Sequence, residues 1–261
     1  MITIENIDNF LENIKINKEC IAYKPFGTTP KELVDIFVEK CNFSKGCFTG
    51  RLDPMAHGTT ILLFDEKCKY VAKYHSLNKI YRFRMVLNIN TTSLDLLGIP
   101  TIFKDNKNIS QLDISNILEK YKNDYNQTLP VHSSYQVQNI NGLKKPLWWW
   151  AKENRLSEII QPIIPKKLYD FKIINRTFLT LSDISNLAIY RINKISKLYD
   201  FNQQNIIEHW NQYIDCCDKF QIFEIEVSVN SGFYIRSLVK DIGENLGIYT
   251  TTLDIERINY F

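Results

Sequence analysis

One short segment of the chain carries a residue type suited to nucleophilic catalysis. Asp53 lies in the sequence Gly50-Arg51-Leu52-Asp53-Pro54, at the end of a loop predicted over residues 44–54. A carboxylate can attack a sugar or a base carbon and divide a difficult rearrangement into easier steps. An Asp-Pro pair in a glycine-rich loop is more often a simple turn, so the elements around the loop must decide between the two interpretations.

Hydrophobic spacing predicts the elements that would position this loop. The predicted elements are a helix that starts at Thr29 with a capping box, a second amphipathic helix over 68–75, strands over 81–89 and 223–229, and a helix over 235–246 that Gly247 closes. Helices and strands are interspersed without regular βαβ units. The fold class is therefore predicted to be α+β, with a mainly antiparallel, mixed sheet flanked by helices.

Composition restricts the class of protein. The 261 residues are 44% apolar, which predicts a single elaborated domain over 1–261, and the net charge of +3 is too small to attract a polyanion by itself. The six cysteines form no Cys-x-x-Cys pair and the four histidines are scattered, so we expect reduced thiols and no metal. Neither a signal peptide nor an apolar run of bilayer length is found, which predicts an intracellular protein without a membrane partner.

Several segments, in the same order along the chain, resemble motifs of the tRNA pseudouridine synthase B family. They are Tyr23-Lys24-Pro25-Phe26-Gly27, the loop from Gly46 to Gly58, Asn78-Lys79-Ile80-Tyr81-Arg82-Phe83, the turn with Thr91, Ser93, Asp95 and Gly98, the run from Lys145 to Lys152, and Gly232-Phe233-Tyr234-Ile235-Arg236-Ser237-Leu238 with Asp241-Ile242-Gly243. One short motif has a substantial rate of false matches, whereas several in register make coincidence implausible.

The resemblance implies a pseudouridine synthase fold and an activity. It implies an RNA pseudouridine synthase that isomerises a uridine, specifically uridine-55 in the T-loop of tRNA, with Asp53 as the nucleophile and no cofactor. Arg236 resembles the arginine that the family pairs with this aspartate, and Tyr81 resembles the tyrosine that stacks on the target base. The target uridine would have to be flipped out of its stack.

The resemblance also implies a set of substrate-binding residues. Tyr234 is similar to a second pocket tyrosine, Ile255 to an apolar residue that presses on the base, and Arg257 to a phosphate-binding arginine. Phe48 stands where the family has a histidine, and it can stack on RNA but cannot hydrogen-bond to it. Glu256 replaces the first of two arginines that the family carries, which predicts lower RNA affinity.

Two features of chain length bear on the partners. The stretch over about 177–219 resembles an insertion between two strands, and the end of the chain soon after Arg257 leaves no room for the small RNA-binding domain of many relatives. We therefore expect a monomeric, stand-alone enzyme on the tRNA T-loop, without guide RNA and without DNA. A cytoplasmic location is expected, with an organelle or a viral setting left open.

Three alternatives stay open from the sequence. The chain could be a non-catalytic RNA-binding or RNA-folding homologue, or a pseudouridine synthase that acts on another RNA. A glycosidase would also use a carboxylate near an anomeric carbon, but it needs a second catalytic carboxylate that no motif supplies. Tyr81 could serve only as core packing, since it alternates with Phe83 and Met85.

Overall fold

The computed structural model describes residues 1–104, 107–123 and 125–261. The strands β1 to β13 are, in chain order, Glu19–Lys24, Gly46–Thr49, Ala56–Phe64, Lys79–Leu87, Ile89–Thr91, Pro100–Ile102, Tyr125–Thr128, Gln136–Gln138, Lys144–Pro146, Ile163–Lys166, Leu168–Thr180, Lys219–Val229 and Thr250–Tyr260. The α-helices α1 to α8 are Leu11–Asn17, Pro30–Cys41, Val71–His75, Gln111–Asn123, Leu147–Lys152, Leu181–Ile192, Gln203–Asn211 and Ile235–Leu246. Short 3-10 helices cover Ile7–Phe10, Asp65–Tyr70 and Leu156–Glu158.

One large sheet organises the molecule. Its strand order is β1-β3-β13-β4-β12-β11, and β2 pairs with β3 outside this path. Among the described strands of this sheet, neighbours are antiparallel except β13 and β3, which run parallel where Ile255 faces Ala56. Helices cover both sides of the sheet. The predicted α+β class, with a mainly antiparallel mixed sheet, is therefore confirmed.

The front face of the sheet is the one that carries Tyr81, Phe83 and Met85 of β4. These side chains alternate with more exposed neighbours, as the sequence predicts, and they join the largest buried apolar cluster. Leu238 and Ile242 of α8 complete this layer, with α4 beside them. Burying a large apolar side chain contributes roughly 1.5–3 kcal/mol, so the front face fixes α8 firmly over β4.

The back face of the sheet is covered by α6 and α7, which follow β11 and precede β12 along the chain. Val86 and Leu253 of the sheet pack there with Ala188 of α6 and Trp210 of α7. Both helices belong to the segment predicted as an insertion over 177–219, whose first residues instead continue β11 to Thr180. Every helix within the described ranges is too short or too polar to cross a membrane.

Helix ends follow the sequence signals closely. The hydroxyl of Thr29 accepts the backbone N–H of Glu32, whose carboxylate accepts the N–H of Thr29, so the capping box that starts α2 is confirmed. Gly247 ends α8 with a left-handed φ of 70°. Such a conformation favours glycine because it lacks a Cβ.

Two local predictions are wrong. The segment predicted as a loop over 44–54 contains strand β2, because Gly46 to Thr49 pair with the edge of β3. The amphipathic helix predicted over 68–75 is a 3-10 turn followed by the short α3, and none of its residues is buried. The short α3 contacts β2, but its residues stay half-buried or exposed.

Candidate active site

A cavity opens at the front of the sheet, where β4, β13 and α8 meet the loop between β2 and β3. The residues that line it are Gly50, Arg51, Leu52, Asp53, Ala56, His75, Lys79, Tyr81, Ser134, Ser231, Gly232, Phe233, Tyr234, Ile235, Arg236, Ile255 and Arg257. Polar groups converge on a partly apolar wall, as in sites that bind small planar groups. We call the loop over residues 50–55, which carries Asp53, the catalytic loop.

Asp53 and Arg236 form an ion pair inside this cavity. Nη2 of Arg236 lies 2.8 Å from Oδ2 of Asp53, and the two side chains are 3% and 29% exposed, respectively. The carboxylate therefore reaches the cavity while the guanidinium behind it is buried. Such a pair holds a carboxylate in one orientation, which a nucleophile in a closed site requires.

Backbone carbonyls hold Arg236 in place. Its Nη1 donates to the carbonyl of Ser93 at 2.9 Å, and its Nη2 donates to the carbonyl of His132 at 3.0 Å. Its Nε lies 3.8 Å from a carboxylate oxygen of Asp95. Burial disfavours the charge of Arg236, but Asp53 and Asp95 more than offset it and raise the pKa of the guanidinium.

Asp95 supports this arrangement from the turn after β5. Its carboxylate accepts the hydroxyl of Ser93 at 2.6 Å and the backbone N–H of Leu97 at 2.9 Å. Burial raises the pKa of Asp95, although Arg236 and Ser93 oppose that shift. The turn thus serves as a rigid support for the arginine, and Arg236 in turn fixes Asp53.

Three predicted pocket residues line the same cavity as Asp53. Tyr81 on β4, Tyr234 before α8 and Ile255 on β13 all line the cavity. Burial raises the pKa of both tyrosines, so their hydroxyls stay protonated at neutral pH. The backbone of Tyr234 exchanges two hydrogen bonds with the side chain of Gln127, which fixes its position. Their roles toward a substrate stay predictions.

Two buried lysines hold the backbone around the catalytic loop. Nζ of Lys24 donates to the carbonyl of Ala56 at 2.6 Å, and Nζ of Lys79 donates to the carbonyl of His75 at 2.9 Å. Burial lowers the pKa of Lys24 to about 7, against the attraction of Asp53. Burial, with the charges of Arg257 and Lys166, lowers the pKa of Lys79 to about 8.

Arg257 lies in the cavity wall, and its predicted role in substrate binding stays a prediction. Its side chain is fully buried, and its guanidinium donates to the carbonyls of Thr59 and Gly50 at 2.7 and 2.9 Å and to the hydroxyl of Thr60 at 2.5 Å. These donors face the protein and not the solvent. Arg257 therefore fixes the entry of the catalytic loop at Gly50.

Phe48 is not among the residues that line the cavity, and its predicted role in substrate binding stays a prediction. The half-buried ring packs against the apolar cluster formed by the N-terminal segment, α2 and β3. The guanidinium carbon of Arg51 lies 5.8 Å from the centre of the ring. Since β2 is a strand, the Phe48 side chain points to a face of the sheet and not along the loop.

A polar network joins the back of the catalytic loop to α6. The hydroxyl of Tyr23 lies 2.7 Å from Nδ1 of His57, and Nε2 of His57 lies 3.2 Å from the Asp254 carboxylate. Nη1 of Arg191 lies 2.6 Å from the same carboxylate. Burial opposes ionisation, but His57 and Arg191 lower the pKa of Asp254 below its ordinary value.

The segment before α2 forms a second connection between α6 and the catalytic loop. The backbone N–H of Gly27 donates to the carbonyl of Pro54 at 2.8 Å. A Cβ on Gly27 would lie 2.5 Å from the carbonyl oxygen of Lys194, and its φ is +84°. Only glycine permits both the conformation and this close approach.

Sequence reasoning quoted several of these residues without giving them a role. Lys24, Lys79 and Asp95 belong to the motifs that resemble the family, and His75 is the last residue of the helix predicted over 68–75. Lys79 could have been found, because alternation with Tyr81 places it on the front face of β4. Among the residues that the structure describes, no group of His, Cys, Asp and Glu is placed to hold a metal ion.

Solved structures share this fold. A chain of the crystal structure of a Cbf5-Nop10-Gar1 complex superposes with a TM-score of 0.58 at 16% identity, covering 96% of this chain and 50% of that one. A chain of an H/ACA RNP bound to a substrate RNA containing 2'-deoxyuridine gives a TM-score of 0.55 at 15% identity, with 95% and 49% covered. At these identities the likeness concerns the fold.

Sequence comparison identifies the family. The model described as "TruB family pseudouridylate synthase (N terminal domain)" matches residues 39–179. Because this match covers more than half of the chain, the chain belongs to the TruB family of pseudouridylate synthases.

Curated relatives match most of the chain at low identity. The tRNA pseudouridine synthase B of Thermotoga maritima is 26% identical over 237 residues, which are 91% of this chain and 60% of the relative. The enzyme of the same name from Wigglesworthia glossinidia brevipalpis is 24% identical, with 97% and 62% covered. The chain thus spans about three fifths of the length of these two relatives. For the relative from Mycoplasmoides gallisepticum, at 23% identity, the covered shares are 92% and 90%.

Proposed function

We propose that this chain is an RNA pseudouridine synthase that isomerises a uridine in the T-loop of tRNA through Asp53. The observation that carries the proposal is the ion pair between Asp53 and the buried Arg236, 2.8 Å apart in a cavity that Tyr81 also lines. The family match supports the reaction. The relatives named tRNA pseudouridine synthase B support the substrate.

The reaction needs only side chains of the kind found in this cavity. The bond between the ribose anomeric carbon and N1 of uracil breaks, and a bond from the same carbon to C5 forms. C5 loses a proton and N1 gains one, so the product is an isomer of the substrate. The Asp53 carboxylate serves as the nucleophile, either at the anomeric carbon or at the base ring, while Arg236 holds it in position.

The aromatic wall would receive a flipped base. Flipping costs on the order of a few kcal/mol, and stacking on an aromatic ring returns about 1–3 kcal/mol per base. Tyr81 and Tyr234 offer rings at the cavity, and Ile255 adds an apolar contact. We expect the hydroxyl of Tyr81 to form a hydrogen bond with the base while the ring stacks on it.

We further propose that the chain acts on RNA without a guide RNA or partner protein. The relative from Mycoplasmoides gallisepticum supports this, since it is covered over 90% of its length and is named as a tRNA enzyme. Guide RNA and additional proteins belong to the assemblies of the structural neighbours, which share only the fold with this chain.

The test is an assay of the purified chain on a tRNA transcript, with pseudouridine measured by mass spectrometry. We expect one pseudouridine in the T-loop, and none when that uridine is replaced by cytidine. The Asp53→Asn variant should bind the transcript nearly as well as the wild type but form no product. Absence of product at stoichiometric wild-type protein would contradict the enzyme and favour a non-catalytic RNA-binding homologue.

A further inference from the structure

Gly50, the first residue of the catalytic loop, is held by hydrogen bonds to both its backbone N–H and its carbonyl. The backbone N–H of Gly50 donates to Nδ1 of His75 at 3.1 Å, and the carbonyl of Gly50 accepts Nη1 of Arg257 at 2.9 Å. Gly50 has a φ of +68°, which a residue with a Cβ rarely adopts. The chain then runs through two residues to Asp53. A change in the backbone position of Gly50 would therefore change the direction in which the Asp53 carboxylate points into the cavity.

His75 is itself fixed by two other residues of the cavity. It ends α3, and its backbone carbonyl accepts Nζ of Lys79 at 2.9 Å. The same carbonyl accepts the hydroxyl of Ser231, which follows β12. Its backbone is thus tied to β4 and to the turn after β12. The imidazole extends from this fixed point to the catalytic loop, at the exposed rim of the cavity.

We propose that His75 is a positioning residue, whose neutral imidazole holds Gly50 and thereby aims Asp53, and whose protonation releases the entry of the catalytic loop. Nδ1 can accept the Gly50 N–H only in the tautomer that carries its proton on Nε2. A second proton on Nδ1 would place two donors face to face. The effect of this release on turnover rests on the proposed function, whereas the contact itself does not.

The charges around His75 favour the neutral form. Lys79 faces it from β4 and Arg257 from β13, while Lys73 lies on its own helix and Lys166 of β10 bonds to the carbonyl of Ser231. Partial burial, with the charges of Lys79 and Arg257, lowers the pKa of His75 below its ordinary value. Because the side chain reaches solvent at the rim, it can still exchange protons as the pH falls.

A consequence for activity can be measured. A neutral hydrogen bond contributes about 1 kcal/mol, so loss of this one should lower kcat by roughly three- to ten-fold on the acid side of the His75 transition. KM for the RNA should change little, because the group lost aims the nucleophile and does not bind the substrate. The hydrogen bond from Arg257 to the carbonyl of Gly50 is expected to persist whether His75 is neutral or protonated.

The direct test follows the Gly50 amide and the His75 ring by NMR between about pH 5 and about pH 8. We expect the Gly50 amide to shift with the same midpoint as the His75 ring. The variant His75→Asn places an oxygen acceptor near the position of Nδ1 but does not titrate. In that variant the Gly50 shift with pH should disappear while activity persists further into the acid range.

Two further variants complete the test. His75→Ala, which lacks the acceptor, should have the low kcat of the protonated wild type at every pH, so its deficit relative to the wild type should appear only above the His75 transition. His209→Asn on α7, remote from the cavity, should leave the Gly50 titration unchanged. The proposal would be overturned if the chemical shift of the Gly50 amide did not change through the His75 transition, or if it changed identically in His75→Asn. If the chain forms no pseudouridine at any pH, the proposed function fails, and the NMR titration alone decides the role of His75.

Discussion

Asp53 and Arg236 differ sharply in how they are held. Arg236 is fixed by two backbone carbonyls and by the Asp95 turn, whereas Asp53 depends on the arginine and on a loop whose ends are anchored. The buried cation therefore sets the geometry and the carboxylate follows it. Removing either partner of a buried ion pair typically costs about 3–5 kcal/mol, so variants at Arg236 would combine loss of activity with loss of stability.

At Tyr81, one substitution can separate the contribution of the aromatic ring from that of the hydroxyl. Tyr81→Phe keeps the stacking surface and the front-face packing but removes the hydrogen-bonding group, so we expect RNA affinity within about two-fold of wild type and kcat lower by roughly 100-fold. Single-turnover kinetics on the tRNA transcript would measure this. Tyr74→Phe, whose hydroxyl contacts Glu19 away from the cavity, is the matched control. Unchanged turnover in Tyr81→Phe would show that the tyrosine serves only in packing.

Lys24 should make stability depend on pH. Its pKa is about 7 in the folded chain and 10.5 as the reference value, so between these values the unfolded state binds more protons. The free energy of unfolding must then rise with pH in this window. Relative to Lys24→Met, we expect the wild type to gain roughly 1–3 kcal/mol between about pH 7 and about pH 9. Urea unfolding at each pH measures it, and parallel curves would contradict a buried, proton-releasing Lys24.

At the scale of elements, the catalytic loop is anchored by parts of the chain that are distant in sequence. Arg236 of α8, Arg257 of β13, Gly27 before α2 and His75 of α3 each contact it. Behind the loop, Met55 packs in the apolar cluster of α6 and α7. The segment that covers the back face therefore supports the loop directly, although it contributes no residue to the cavity.

A substitution at Arg191 tests whether α6 supports the catalytic loop and the sheet behind it. Arg191→Met removes one of the two partners of the Asp254 carboxylate, whose side chain is only 19% exposed, and leaves His57 as the other. We expect a loss of about 2–4 kcal/mol in the free energy of unfolding, measured by denaturant titration. The control is Lys152→Met, which removes an exposed contact with Asp200 and should change stability by less than about 0.5 kcal/mol. Equal effects of the two variants would contradict a supporting role for α6.

The dependence of the free energy of unfolding on acid pH gives a second test of the contact between Arg191 and Asp254. The pKa of Asp254 is lowered in the folded chain, so the stability it contributes is present above the carboxyl's ordinary pKa and is lost as the pH falls through the lowered value. Without Arg191 the lowering is smaller. The difference in stability between wild type and Arg191→Met should therefore shrink as the solution is acidified.

Local signals predicted elements well and long-range contacts poorly. The alternation around Tyr81 and the capping box at Thr29 are properties of neighbouring residues, and both elements appear as predicted. The surroundings of Phe48 and Arg257 could not be predicted from such signals, because they depend on partners far along the chain. A strand pairing turns Phe48 away from the cavity, and the carbonyls of Thr59 and Gly50 occupy Arg257.

At the scale of the whole molecule, affinity for RNA must come from local charge. The net charge is only +3, and Arg257 and Lys24 are buried among carbonyls, so fewer cations reach solvent than the sequence suggests. Arg51 is an exposed cation at the cavity. Contacts between such groups and phosphates release counterions, which makes binding depend on salt.

Arg51 should account for one such contact. Arg51→Gln should weaken binding of the tRNA transcript and lower the slope of log Kd against log salt concentration by about 1. Lys31→Gln on α2, where Lys31 pairs with Asp35, is the matched loss of charge away from the cavity and should leave the slope unchanged. Fluorescence anisotropy at several salt concentrations measures both. The same slope in the two variants would place the RNA elsewhere on the surface.

The central claim is that Asp53 in this cavity converts one uridine of tRNA in the cell. The most direct measurement is a map of pseudouridines, at nucleotide resolution, in RNA from cells that carry the wild-type gene or only the Asp53→Asn variant. The account predicts that a T-loop pseudouridine in tRNA is present with the wild type and absent with the variant, at equal protein levels. Identical maps from the two cells would contradict it.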